Sequence, residues 1–431
     1  MNKLLTIIFA LILLASLATA QWTYQGSFPS DAWANGTGAH GIAVDPAGKV
    51  WFQFFGNSDT IFNGTSYVPC RAVYVFNPDG SQASFSPIRT VTVGGLTDTL
   101  YNSNRGLRAD ETGNILVSSF DILYRINYQT GVGMNRIQPQ PGQTLDAVAV
   151  DNLGEIFVGK VIPGNPLQIL DNAFNILGNV TDTTIGFSRT LEVSGDGNDV
   201  YWCGFTEHAI YRYHSDFGSF GPYVLQDSVF KGFDCESIGW NPTRTRLWAS
   251  AGSANDRPNR FPGETTNYDL NTWYAWDPST GAIDDSIKWD FTFSTDSVNV
   301  RPRAIAFSPD GNTAYVGCFG LSTYPAMQKF SRVTSVEPIE GVLPTSFSLD
   351  QNFPNPFNPS TEIHFTLIQG GRTTLRVFDM LGREIATLLD EDLDAGAYRK
   401  VFDASRLSSG TYMYSLTSNG STITKKMLLM K

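Results

Sequence analysis

Apolar residues in this chain come in short runs rather than long helical stripes, and the runs repeat. A polar or charged residue opens each unit and an apolar-rich run follows. A turn of Asp, Asn or Ser with Gly or Pro comes next, and a second apolar run closes the unit. The pattern reads HGIAVDPAGKVWF from His40, RGLRADETGNILV from Arg105 and DAVAVDNLGEIFV from Asp146. It continues as RTLEVSGDGNDVYW from Arg189, ESIGWNPTRTRLW from Glu236 and RAIAFSPDGNTAYV from Arg303. Each copy is a β-hairpin by composition, with β-rich arms around a turn that suits Asp, Asn or Gly. A second set of arms follows each one: VYVFNPDG (73–80), ILYRINYQTG (122–131), LQILDNAFN (167–175), IYRYHSDFG (210–218), TWYAWDPSTG (272–281) and MQKFSRV (327–333).

Six hairpin pairs make six four-stranded units, spaced about forty to just under seventy residues apart, which fits blades carrying loop insertions. Such a unit cannot bury its own faces, but stacking around an axis buries them. The expected fold is all-β: a six-bladed β-propeller over residues 21–335, with the strand near Trp22 to Phe28 completing the last blade. A pair of β-sandwiches is the competing arrangement. The turn sequences, HGIAVDPAGKVWF and RAIAFSPDGNTAYV above all, resemble propellers of the NHL and SMP-30/gluconolactonase type.

In a propeller the residues that open the six units, His40, Arg105, Asp146, Arg189, Glu236 and Arg303, converge at one mouth of the channel. Three arginines there would hold a carboxylate or phosphate through forked hydrogen bonds. The alternation of Arg with His, Asp and Glu equally describes a salt-bridge network that plugs the channel. Insertions at 53–72 and 250–271 are expected on the same face, the latter with Asp256, Arg257, Arg260 and Tyr268, and a third at 91–104 is expected to reach it. The lactonase resemblance implies a divalent metal, calcium for example, in the channel, with Asp146 and Glu236 as two candidate ligands. It also implies an alternative function as a metal-dependent hydrolase. Three arginines in the same ring would weaken such a site, so no cofactor is expected and a binding role is the leading reading.

Composition narrows this further. Charged residues make up 16%, aromatic residues 13%, and 40 Gly and 22 Pro punctuate the chain, which disfavours helical bundles and disorder. The formal net charge of −11 repels phosphate backbones, so nucleic acid is not an expected partner. No GxSxG, CxxC or HExxH occurs, and the GTGAHG at 36–41 precedes a strand rather than joining strand to helix, so it is not a dinucleotide motif. Residues 1–20 read as a secretory signal peptide: Lys3, an apolar run from Leu4 to Leu14, and Ala18-Thr19-Ala20 before the cleavage point. The apolar run is too short to span a bilayer, and no transmembrane segment is expected in the mature chain. Cys70, Cys203, Cys235 and Cys318 are scattered; pairing of Cys203 with Cys235 and buried free thiols are both open.

After about residue 335 the pattern changes. Residues 336–345 read as a linker, and strict alternation begins: EIHFTL (362–367), TTLRVFD (373–379), EIATLL (384–389), AYRKVFD (397–403), GTYMYSLT (410–417) and ITKKMLLM (423–430). Residues 346–431 are expected to form a small Ig-like β-sandwich. They hold nine acidic and nine basic side chains, so the negative charge belongs to the residues before them. This segment resembles the type A C-terminal sorting domain of the type IX secretion system. The carriers are QNFPNPFNPST, with Asn352, Pro354, Asn355, Pro356, Phe357, Asn358 and Pro359, then VFDMLGREI, FDASRLSSGTYMYSL and the ending ITKKMLLMK. The resemblance implies a bacterium of the Bacteroidetes or its relatives, export through the periplasm, and the secretion machinery and a sortase as partners. The mature protein would be released or held at the outer cell surface. The expected ligand of the propeller is a protein, a glycan or a small anion.

Overall fold

The computed structural model describes residues 22–34, 38–56, 58–101, 106–204, 207–232, 235–251, 268–292, 301–320, 324–332, 337–338, 346–404 and 407–431. The fold is all-β, and the chain divides into two compact units, Trp22–Ser331 and a C-terminal one from Arg332 onward. The signal-peptide reading of residues 1–20 lies outside the described residues.

Among the described residues the first unit holds six larger antiparallel sheets laid down in chain order, five of four strands and one of three, besides two two-stranded hairpins. Their first strands are Ala39–Val44, Leu107–Ala109, Leu145–Val150, Ser188–Val193, Ile238–Trp240 and Arg301–Phe307. Each packs against the next, and the sixth packs against the first. The strand Trp22–Phe28 pairs onto Met327–Arg332, so the sixth sheet combines the two ends of the unit.

Six apolar clusters fill the six gaps between successive sheets. Trp51 and Val75 of the first sheet meet Leu107 and Ile115 of the second, while Leu116 and Leu123 turn the other way, toward Val148 and Ile156 of the third. The cycle continues through Phe157 with Trp202, Tyr201 with Ala249, and Trp248 with Val316. It ends with Tyr315 and Met327 of the sixth sheet against Phe52 and Phe76 of the first. Each sheet therefore buries both faces, which is why strands such as Val50–Phe54 and Ile115–Ser119 are buried at every position and show no polar alternation.

The repeated turns share one device. Asp45, Asp110 and Asp151 each accept two backbone N–H bonds at 2.9–3.0 Å from residues two and four further on. Asn241 accepts those of Thr245 and Arg246, and the Ser194 and Ser308 hydroxyls each accept one, from Asp199 and Thr313. A short polar side chain thus folds the backbone at the same place in all six copies.

The closure between the sixth and first sheets is tight. A methyl group on Gly317 would collide with the Ala39 carbonyl oxygen, and one on Gly38 with that of Cys318. Gly317→Ala is therefore expected to cost about 1–3 kcal/mol. A fall of several degrees in Tm would show it, and an unchanged Tm would mean the two sheets do not approach as closely as this.

The first sheet departs from the four-strand expectation. It has three strands, Ala39–Val44, Val50–Phe54 and Tyr74–Phe76. The insertion at 53–72 is not simply a loop, because Asp59–Phe62 and Tyr67–Cys70 form a hairpin of their own. The insertion at 91–104 likewise contributes a hairpin, Thr90–Val93 with Leu96–Thr99. Its Asp98 takes the Tyr124 hydroxyl at 2.9 Å and Arg136 Nε at 2.6 Å, which pins it to the last two strands of the second sheet. Residues 102–104 of this insertion, just before Arg105, lie outside the described residues. All four cysteines are buried free thiols, and Cys203 Sγ donates to the Cys235 carbonyl rather than bonding its sulfur.

The C-terminal unit has two four-stranded sheets. One runs Glu337–Pro338, Gly396–Asp403, Ser360–Leu367, Ser348–Leu349, and the other Glu384–Leu393, Gly371–Phe378, Gly410–Ser418, Ser421–Leu429. Glu337–Pro338 lies inside the stretch expected to be linker, yet its backbone pairs with Tyr398 and Arg399. Ile363, Phe365 and Leu367 from one sheet and Leu375, Val377, Tyr414 and Leu416 from the other share a single core. Here only one face of each sheet packs in the core, so Ser360–Leu367 alternates strictly between buried positions and half-buried or exposed ones.

Candidate functional site

Four of the six residues that open the repeats come together. His40, Arg189, Glu236 and Arg303 line one cavity of about 190 Å³, with Arg301, Phe55 and Phe319. Glu236 Oε2 is shared by two guanidiniums, at 3.0 Å from Arg303 Nη1 and 3.3 Å from Arg189 Nε. Arg303 is buried and its Cζ stands 5.3 Å over the Phe319 ring. Burial lowers the Arg303 pKa, as do Arg189 and Arg301 beside it, while Glu236 pulls it up. The His40 ring lies 5.1 Å from Phe55, and Phe55 lies 5.3 Å from Phe319 edge-on, so three rings form one wall.

Arg301 was not singled out from the sequence. It stands two residues before Arg303 on the same strand, opposite Phe319 in the register. Period-two alternation of the RPR triplet was the available signal. Phe55 and Phe319 follow or end second strands of the first and sixth sheets, where an aromatic residue reads as core.

Asp146 is not among the residues lining this cavity. Its carboxylate accepts the Ser188 hydroxyl, which in turn accepts Trp202 Nε1 at 2.7 Å. Asp146 is fully buried there, and its charge opposes the burial that pushes the neighbouring Lys160 ammonium down to about 8. The two carboxylates considered as metal ligands thus have separate surroundings, Asp146 on a hydroxyl and Glu236 on two arginines. Among the described residues no group of three or more His, Cys, Asp or Glu side chains converges. Arg105, Asp256, Arg257 and Arg260 lie outside the described residues. Tyr268 is half-buried and packs at 5.4 Å on Tyr274 and 6.2 Å on Phe230.

A second cavity of about 400 Å³ lies at the turn ends of the same strands, lined by Ala43, Arg108, Glu192, Gly239, Arg244 and Ile305 among others. Arg108 Nε meets Glu192 Oε1 at 2.6 Å, and Arg108 also donates to the Ile238 carbonyl. Burial raises the Glu192 pKa against the pull of Arg108 and Arg244, and burial lowers that of Arg244. Arg244 holds φ at 54° where five other repeats place Gly, and its guanidinium donates to the Val150 and Val193 carbonyls at 2.6 and 3.2 Å. At this end every charge named has a partner. The sequence signal was an Arg and a Glu at a position where the other repeats carry Ala or Gly.

In the C-terminal unit the NFPNPFNPS stretch lies across the end of both sheets. Phe357 is 2% exposed and packs in the shared core, whereas Phe353 is 80% exposed. Phe357 exchanges backbone bonds of 3.0 Å with Leu428 and Met430, and Asn355 Oδ1 accepts the Leu428 N–H at 2.9 Å. On the other side Phe353 pairs with Glu362, and Pro359 O accepts the Ala404 N–H at 2.9 Å. Asn352 is buried; its side-chain amide donates to Thr361 Oγ1 at 2.9 Å and Pro354 O at 3.1 Å, and its N–H to the Tyr414 hydroxyl at 2.8 Å. Pro354, Pro356, Asn358 and Pro359 are exposed. None of these prolines withholds a ladder hydrogen bond that the core needs.

Residues 351–430 match the family described as secretion system C-terminal sorting domain. This part of the chain is such a domain, and it marks the protein as one exported through type IX secretion to the outer cell surface or beyond. No described helix is long and apolar enough to cross a membrane. No curated protein matches the chain. Among solved structures the chain is distantly similar to one described as the Mitotic Checkpoint Complex, at 11% identity over 77% of this chain and 98% of that one, with a TM-score of 0.44. It is also similar to the extracellular domain of the putative hybrid two component system BT4673 from B. thetaiotaomicron, at 12% identity over 92% and 57%, with a TM-score of 0.40. A third is a fungal alcohol oxidase of the AA5 family in complex with copper, at 12% identity over 95% and 99%, with a TM-score of 0.39. At these TM-scores the likenesses carry no argument about fold or activity.

Proposed function

We propose that residues 21–335 form a six-bladed β-propeller that acts outside the cell as a binding protein, and that residues 346–431 are the Ig-like address that takes it there. The observation that carries the propeller reading is the cycle of six inter-sheet cores, with Trp22–Phe28 completing the sixth sheet. That closure buries the faces of every sheet against a neighbour, which a separate four-stranded sheet cannot do for itself. Residues 1–20 would carry the chain into the periplasm and the sorting domain across the outer membrane, where a sortase would remove it. The binding reading rests on the cavity that gathers His40, Arg189, Glu236 and Arg303, because charged groups converging in a concavity of a rigid scaffold suit ligand capture.

A reporter protein placed between residues 1–20 and 346–431 tests the address. It is expected in the medium or on the cell surface of a host with intact type IX machinery, and in the periplasm of a host without it. Periplasmic retention in both hosts would overturn the reading.

A further inference from the structure

We propose that the cavity at the start of the repeats binds a monoanionic oxyanion, a carboxylate or a sulfate monoester, carried on the end of a larger molecule. This deepens the binding reading above and rests on it. Among the described residues, three guanidiniums, those of Arg189, Arg301 and Arg303, line the cavity beside one carboxylate, Glu236. Asp146, the acid of the third repeat, bonds the Ser188 hydroxyl and is not part of the described lining. The ion pairs that Arg189 and Arg303 make with Glu236 converge on one oxygen, Oε2.

Arg301 is the group that points to a ligand. Among the described residues its guanidinium has no hydrogen bond or ion pair, although the residue is partly buried and lines the cavity beside Arg303. Its nitrogens still reach solvent, so the fork is open to an incoming oxyanion, which it would take with matched two-point geometry. Phe55 and Phe319 form an apolar wall that lowers the local dielectric and strengthens the attraction.

The same residues limit the ligand. Glu236 offsets one of the three guanidinium charges, and stripping water from a dianion costs far more than from a monoanion, so a guest with a single negative charge suits this enclosed site. A cavity of about 190 Å³ admits an end group and one ring, not a polymer or a folded chain. The channel's other end offers no comparable site, since Arg108 and Arg244 are held by Glu192 and by backbone carbonyls.

Calorimetric titration of the full mature chain with glucuronate, glucose 6-sulfate, glucose 6-phosphate and glucose tests this. Glucuronate or the sulfate ester is expected to bind at least about tenfold more tightly than glucose, with affinity falling as salt rises. Binding of glucuronate alone identifies a carboxylate ligand, and binding of the sulfate alone a sulfated one. Arg301→Gln is expected to weaken binding about tenfold or more while leaving Tm unchanged, because no described partner loses its bond. Arg301→Lys should keep part of the affinity. Equal affinity for all four probes, tighter binding of the phosphate, or an Arg301→Gln variant with unaltered affinity would overturn the proposal. Those outcomes would leave the exported-propeller reading standing, because the reporter experiment does not depend on this cavity.

Discussion

Removal of residues 346–431 is expected to leave the protein in the periplasm. Among the described residues, the cores of the first unit are built from residues Trp22 through Phe330. The shared core of the C-terminal unit likewise draws only on residues from Phe347 onward. Truncation thus leaves the described inter-sheet clusters of the first unit in place, and the shortened protein should unfold with the same Tm as the corresponding transition of the full chain. What it loses is the part of the chain that matches the sorting family. Fractionation should find the full chain outside and the truncated one, folded and soluble, in the periplasm, with the external signal reduced to background. Normal appearance of the truncated protein outside would refute the assignment of export to this domain. Loss of the protein from every fraction would instead mean that the two units fold together.

The two units were legible to different degrees, and the reason is how many faces their sheets bury. In the C-terminal unit one face is wet, so strands alternate and their positions read directly from the sequence, as in Ser360–Leu367. In the first unit both faces are dry and alternation vanishes. There the repeat was visible through its turns, because Asp45, Asp110, Asp151, Ser194, Asn241 and Ser308 must each present a short acceptor to the backbone. The site was legible only in part. The first strands carry bulges, between Leu145 and Val148 and between Pro302 and Ile305, for example. A bulge re-aims the side chains beside it, so residues at one repeat position need not point one way. Asp146 turns to Ser188 while Arg303 turns to the cavity. Arg301 falls before the repeat as the turns define it, and only pairing with Phe319 brings it to the same place.

Phe357→Ala is expected to unfold the sorting domain, and Phe353→Ala to leave it intact. The two aromatic residues stand four apart in one motif, and the sequence offers no means of telling them apart. Phe357 fills the shared core beside Phe402, with ring centroids 6.3 Å apart, and its backbone joins the motif to the last strand through Leu428 and Met430. Truncating a buried Phe costs about 3–5 kcal/mol, comparable to the whole stability of a domain this small. At about 4–8 °C per kcal/mol, the transition of the C-terminal unit should fall by well over ten degrees. That of the first unit should not move. Phe353 is 80% exposed, so its truncation should change stability by less than about 0.5 kcal/mol. Calorimetry of both full-length variants checks the pair, and fractionation adds the consequence. Loss of export in Phe357→Ala together with a lowered C-terminal transition assigns that residue a structural duty. Loss of export in Phe353→Ala with an unchanged transition would make the exposed ring part of what the secretion machinery reads. An unchanged transition in Phe357→Ala would show that the motif does not close the core.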